Sequence, residues 1–428
     1  MNPTKTALLV LGTLAGPAAA ADLPEPVLPQ GVGVDIHFIR GHENELDQIT
    51  AAGFKVVRMD FAWESTEQKK GEYDWSAYDE LTGELEKRGL RVLYILDYSN
   101  ELYEAAVESR DPVSGRQRRI VPSPQHAESI AAFARWAAAA ARHYRGRRII
   151  WEIWNEPNSA FWKPKPDVRQ YTALALATCS AVRQADPKAT IVGPATSKIP
   201  LEFLERFFAS GGLAELDAVS VHPYRARNRP PETAAEDYRK LQQLIERYAP
   251  ATKKQMPILS GEWGYASHTR GVSPETQAAY LARQQLSNLL NGVPLSIWYD
   301  WKDDGTNPGE SEHHFGTMTY DLKPKPAYWA AWTLAHELAG YRIVRRLKTG
   351  NETDFVLLLK NAAGHRKLAA WTLGETHAVR LAGLLRPAGK VRGVTVGGQS
   401  FLPQVVQNTL ALELSASPQY VAIEDGPD

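Results

Sequence analysis

The chain of 428 residues contains one cysteine, Cys179. A lone thiol excludes an intramolecular disulfide framework, and without a C-x-x-C pair or a spaced Cys/His set there is no zinc-site pattern. Charge of one sign is not in excess either, since 49 Lys+Arg balance 49 Asp+Glu. Partners gripped by bulk electrostatics, nucleic acid or an anionic membrane, select a basic chain or a basic face, so neither is expected. The G-x-S-x-G elbow of many serine hydrolases is missing. After the first twenty residues no apolar run approaches the ~20 needed to cross a bilayer.

At the N-terminus, Lys5, the apolar run Ala7 to Ala15 and the small residues Ala18 to Ala21 read as a cleavable export signal over 1–21. Gly16-Pro17 breaks the apolar run too early for a membrane anchor. The mature protein is therefore expected to be secreted or periplasmic. Nothing in the chain fixes its oligomeric state.

From about residue 30, short apolar runs alternate with longer helical patterns, the signature of βα units on a parallel sheet. Eight runs are legible: Val32 to Phe38, Phe54 to Met59, Leu90 to Leu96, Ile149 to Trp154, Ala189 to Pro194, Leu216 to His222, Pro257 to Glu262 and Val293 to Asp300. Eight strands, each followed by a helix, is the count of a closed (β/α)8 barrel, here expected over 22–340. Ser123-Pro124 and Ser273-Pro274 read as helix starts, with Gly146 and Gly292 as stops. Long polar connections, Asp97 to Pro122 and Tyr299 to Pro324, fall on the C-terminal face, where barrels bind substrate. Over 341–428 the pattern turns to short alternating segments, which predict a small antiparallel β-sandwich.

The chemistry concentrates at two strand ends. Trp151-Glu152-Ile153-Trp154-Asn155-Glu156-Pro157 closes the fourth predicted strand, and Ser260-Gly261-Glu262-Trp263-Gly264 closes the seventh. Glu156 and Glu262 would face one another across the mouth. Such a pair is what glycoside hydrolysis requires: one carboxyl protonates the leaving oxygen, and the other attacks the sugar or activates water. Glu152 lies deeper along the same strand and reads as an interior charge paired with an arginine.

These segments resemble glycoside hydrolase clan A, the barrel enzymes with catalytic glutamates after strands four and seven. The likeness is strongest to family 39, including bacterial exopolysaccharide-degrading enzymes, with some likeness to family 5. Val56-Val57-Arg58-Met59-Asp60, Ser220-Val221-His222-Pro223-Tyr224 and Trp298-Tyr299-Asp300-Trp301 support it. The resemblance implies that Glu156 is the acid/base and Glu262 the nucleophile of a retaining mechanism without a cofactor. Arg58 and Tyr224 would then donate to Glu262, and Asn155 would bind the sugar 2-hydroxyl.

His222, with Tyr224 two residues on, is expected to face the mouth. Trp298 or Trp301 is expected to offer a flat face to a sugar ring. Asp35, His37, Asp97 and Asp303 are further candidate substrate contacts, although the histidine that family 5 offers after strand three is not found here. Asp303-Asp304 and His313-His314 suggest hydrogen bonding to substrate or within their loop rather than a metal site, for lack of a third spaced ligand. The run Arg225, Arg227, Arg229 reads as a solvated loop. If it turned into the groove, it would favour an acidic sugar.

The whole predicts a glycosidase acting on an extracellular polysaccharide, cutting within the chain. The competing readings are an exo-acting β-glycosidase of β-xylosidase type and a carbohydrate-binding protein without turnover.

Overall fold

Eight parallel strands close on themselves in chain order: β1 (Val32–Asp35), β2 (Val56–Ala62), β3 (Arg91–Asp97), β4 (Ile150–Ile153), β5 (Thr190–Ser197), β6 (Ala218–His222), β7 (Ile258–Trp263) and β8 (Ser296–Trp298), with β8 pairing back onto β1. These are the strands of a computed structural model that describes residues 22–110, 117–386 and 389–424. The export signal expected over 1–21 lies outside the described residues. All eight expected strands are present. They are buried on both faces, which is why they read as continuous apolar runs rather than as alternating ones. Inside the barrel, Val56, Leu93, Ile95, Ile150, Val192, Leu259 and Ile297 form a separate apolar plug beneath the mouth.

The helix Pro274–Leu290 starts as the sequence predicts, with Ser273 Oγ accepting from Thr276 N and Pro274 in the first turn. The helix Ala127–His143 does not start at Ser123-Pro124. Ser123 Oγ accepts from Lys163 N instead, and the helix begins three residues after Pro124, where His126 N donates to Ser129 Oγ. The buried Glu104 carboxylate accepts from Ser129 Oγ and from the Gln125 and His126 amides, so a side chain from the preceding connection supplies the cap. Within that connection a hairpin, Val107–Arg110 with Gln117–Ile120, stands out from the barrel.

Among the described residues nine strands follow the barrel: β9 (Tyr341–Arg346), β10 (Asp354–Asn361), β11 (Arg366–Thr372), β12 (His377–Leu381), β13 (Lys390–Thr395), β14 (Ser400–Phe401), β15 (Gln404–Val406), β16 (Thr409–Leu414) and β17 (Gln419–Glu424). One sheet runs β9-β10-β11-β17-β13-β14 and the other β12-β16-β15. The three strands not legible in sequence, β9, β14 and β15, are short or largely exposed and carry no alternating apolar pattern.

The larger sheet is buried on both faces. Phe355, Leu357, Ala369 and Trp371 join the barrel core, while Val356, Leu368 and Ala370 meet the second sheet. A buried ion pair bolts this seam: Arg283 forks onto Glu232 with two 2.8 Å bonds, and Trp371 Nε1 donates to the same carboxylate at 2.7 Å.

Candidate active site

At the end of β4 the strand's period of two breaks down. Trp154 and Glu156 take left-handed backbone angles, φ 67° and 46°, which non-glycine residues adopt at a cost of about 1–3 kcal/mol each. Glu156 N donates to Ala195 O and Trp154 N to Leu96 O, so the strands on either side hold this turn. The consequence is that Trp154 packs inward while the consecutive residues Asn155 and Glu156 both reach the mouth.

Arg58, buried on β2, organises the floor beneath them. Its five N–H bonds all have a partner: Nε donates to Glu152 at 2.8 Å, Nη1 to Asp35 at 2.9 Å and to Glu262 at 2.7 Å, and Nη2 to Asn155 at 2.8 Å, with His222 Nε2 at 3.4 Å. Glu152 is the interior charge expected, and Ser220 Oγ donates to its second oxygen. Tyr224 OH donates to Glu262 at 2.7 Å, and His222 Nδ1 stands 3.1 Å from Glu156 and 3.7 Å from Glu262. One carboxylate oxygen of Glu156, one of Glu262 and a ring nitrogen of His222 lie within 4.8 Å of one another.

Burial pushes the Glu262 carboxyl up, but His222, Arg58 and Tyr224 together hold it below the ordinary glutamate value. His222 is pushed down by burial, and the Glu262 charge and the Glu156 contact more than reverse this.

Gly261 leaves room for this floor. A Cβ there would stand 2.3 Å from Ser220 Oγ and 3.0 Å from Glu152 Oε1. Gly261→Ala is expected to lower stability by about 1–3 kcal/mol and to disturb the Glu152 pair. Urea denaturation beside wild type checks the first effect and residual turnover the second.

Arg58, Asn155, Glu156, His222, Tyr224 and Glu262 thus converge. The remaining candidates separate. Asp35 joins the cluster from beneath, 3% exposed and bonded to Arg58, so it is not placed to touch a sugar. His37 stands at the rim with a half-exposed ring, 3.6 Å from Asp300. Burial lowers its pKa, but Asp300 and Asp35 win and raise it to about 9.

Asp97 corrects the reading of a substrate contact: it is fully buried against Asp60, which desolvates its carboxyl and keeps it protonated well above the usual range. Asp303 is likewise spent, accepting from Lys325 Nζ at 2.8 Å and Gly316 N at 2.9 Å to pin the loop after β8. Trp298 and Trp301 offer no free face. Both are buried, with Trp298 Nε1 directed to Phe315 O and Trp301 Nε1 to Glu45.

The aromatic wall comes instead from residues the sequence reading passed over. Tyr299, between those tryptophans, is half-buried and packs edge-on against His37, Tyr224 and Phe315. On the other flank Tyr98 OH accepts from Asn155 Nδ2 at 3.1 Å, and its ring stacks with the exposed Phe161. Strand parity could have found Tyr299, because it follows by two residues Ile297, whose side chain points into the barrel. Phe161 sits in a loop and gave no periodic signal.

Arg225 turns away from the groove to Asp237 at 2.6 Å, and Arg227 bonds the Arg270 carbonyl, so neither is directed at an acidic sugar. His313 and His314 bond to the backbone of Asn307 within their loop. Among the described residues two groupings have the spacing to hold a cation, Glu156/His222/Glu262 and His37/Asp300/Asp304; the fold brings His37 to the acidic loop as the third group that sequence spacing did not show.

Comparison with known proteins agrees with this geometry. The family model for cellulase (glycosyl hydrolase family 5) matches residues 29–304. A family 39 glycoside hydrolase from Bacteroides cellulosilyticus WH2 is 27% identical, with a TM-score of 0.79 over 93% of this chain and 81% of that one. A family 39 β-xylosidase from Caulobacter crescentus, 19% identical, shares the fold with a TM-score of 0.65 over 96% and 98% of the two chains. A β-xylosidase from Geobacillus stearothermophilus is 26% identical over 232 residues, 48% of this chain and 46% of that enzyme, so the match spans about half the length of that relative. The chain belongs to the cellulase (glycosyl hydrolase family 5) family within clan A, has family 39 enzymes as structural neighbours, and is a glycoside hydrolase.

Proposed function

We propose that the chain cleaves O-glycosidic bonds of an extracellular polysaccharide by retaining double displacement, with Glu262 as nucleophile and Glu156 as acid/base. The observation that carries this is the closeness of the two glutamates. With one oxygen of each within 4.8 Å, the pair fits the ~5–5.5 Å carboxyl spacing of retaining enzymes better than the ~6.5–9.5 Å of inverting ones, which must admit a water.

Roles follow from surroundings. Glu262 is held as an anion by Arg58, Tyr224 and His222, the state a nucleophile needs. Among the described residues the Glu156 carboxyl has the His222 imidazole as its hydrogen-bond partner, which can donate to it once its proton has gone to the leaving oxygen. Asn155, fixed by Arg58 and Tyr98, is placed to meet the 2-hydroxyl of the sugar under attack.

Cleavage within the chain is favoured by aromatic surfaces on both flanks of the glutamate pair, Tyr98 with Phe161 on one and Tyr299 with Phe315 on the other. The second reading, exo cleavage of the β-xylosidase type, draws on the names of the two xylosidases. Mass spectrometry of products from a glycan panel decides: oligosaccharides support endo cleavage, and monosaccharides alone from the first minutes support exo. Tight retention on a glycan without any product would favour a binding protein.

Two expectations test the assignments. Glu156→Gln should slow natural linkages by about 10²–10⁴-fold, the usual weight of general acid catalysis, yet largely spare dinitrophenyl glycosides, whose leaving group needs no proton. Equal losses on both substrates would remove Glu156 from the acid role. Because Glu262 is held below the ordinary glutamate value of 4.5, it stays ionised until the pH falls past that point. The limb on which kcat/KM falls to zero through loss of the nucleophile should therefore lie below 4.5, beneath any partial step from another group, as initial rates across an acetate and formate series would show.

A further inference from the structure

Arg58 Nη1 carries two hydrogens, and the structure gives one to Asp35 and one to Glu262. Two carboxyls therefore hang from a single nitrogen. Asp35 also faces charge from every element around it: Arg58 and Asp60 on β2, Glu262 on β7, His37 just beyond the end of its own strand, and Tyr299 and Asp300 after β8. Its burial keeps sugar and screening water away. At Asp35 burial outweighs the attraction of Arg58 and pushes the carboxyl up to about 7, whereas Glu262 is held low. A proton added to the pair goes to Asp35 first.

We infer that Asp35 is a positioning residue that sets the charge felt by Glu262 through their shared guanidinium nitrogen, and that its ionisation speeds the step in which Glu262 attacks the sugar. This rests on the retaining reading. In that step the bond from the anomeric carbon to a Glu262 oxygen forms, the bond to the leaving oxygen breaks, and its electron pair departs with the leaving group. Glu262 gives up its negative charge while the ring gains positive charge. An anionic Asp35 offsets part of Arg58's hold on Glu262 and stabilises the cationic ring. Protonated, it leaves that hold intact.

Asp35→Asn separates charge from shape, since its amide oxygen still accepts from Nη1. With dinitrophenyl glycosides as probe, which take Glu156 out of the profile, wild-type kcat/KM should rise on the order of tenfold through an inflection at about 7, where Asp35 ionises. The Asn variant should stay at the low-pH level, and Asp35→Glu should regain a step. A flat wild-type profile, or a step that survives in Asp35→Asn, would overturn the proposal, because a merely structural Asp35 would leave the inflection in place. Infrared titration of the free enzyme is the second readout, with one carboxyl band titrating near pH 7 in wild type and missing from Asp35→Asn. Turnover without that band overturns the role of Asp35 alone. The band without turnover of any aryl glycoside overturns the retaining reading and the rate effect with it.

Discussion

Glu262→Gln is expected to lose about 10⁴-fold or more of its turnover on every substrate, activated aryl glycosides included. The amide oxygen is neutral, so it neither forms the glycosyl–enzyme bond nor balances positive charge on the ring. Its geometry sharpens the loss. Glu262 accepts from Tyr224 on one oxygen and from Arg58 on the other, whereas a glutamine can face only one of these donors with its oxygen. The amide nitrogen then opposes the second donor, and the carboxamide is pushed off the line of attack. Glycan binding should survive, because the aromatic flanks at Tyr98, Phe161 and Tyr299 are untouched. Equilibrium binding beside single-turnover kinetics checks both halves. A Glu262→Gln enzyme that retained aryl-glycoside turnover would move the nucleophile elsewhere.

The parts of this enzyme legible in sequence are those whose cause is local. The eight barrel strands announce themselves because each is a short apolar run that must be buried on both faces, and Glu156 and Glu262 because they end two of those runs. Arg58 was named through the family resemblance of the segment that carries it on β2, and its pairing with Glu152 follows from a charge set too deep to stay alone. What escaped depends on contacts between distant segments. Asp97 and Asp303 read as rim acids like any other, until the neighbouring strand β2 sets Asp60 against the first and the far end of its own connection brings Lys325 against the second. Trp298 and Trp301 carry the right chemistry for a sugar platform, but their rings fill the space under the loop after β8, and the face offered there belongs to Tyr299. Likewise Ser123-Pro124 looks like a helix start, and only Glu104, from the preceding connection, moves the cap to His126.

Arg58→Met should do the widest damage of any single change. Three carboxylates, Asp35, Glu152 and Glu262, converge on one guanidinium, with Glu152 fully buried and Asp35 nearly so. Removing one partner of a buried ion pair typically costs about 3–5 kcal/mol, since the other charge is left unpaired; with three acids on one cation the lower end of that range is a floor. Lysine is no substitute, because an ammonium cannot reproduce five directed donors in a plane.

The pH dependence gives the cause away. Without the guanidinium, the acids around it stay buried only by taking up protons, so the variant's deficit should shrink as the pH falls towards the carboxyl range and grow as it rises. Wild type runs the other way at Glu262: its depressed carboxyl contributes stability that is full above the unfolded value and is lost as the pH falls through the folded one. Chemical denaturation of both proteins at mildly acidic and neutral pH should therefore bring the two stabilities together at the acid end. If the gap were constant across that range, the cost would lie in lost packing of the arginine stem, and the picture of Arg58 as the charge that assembles the catalytic floor would have to be given up.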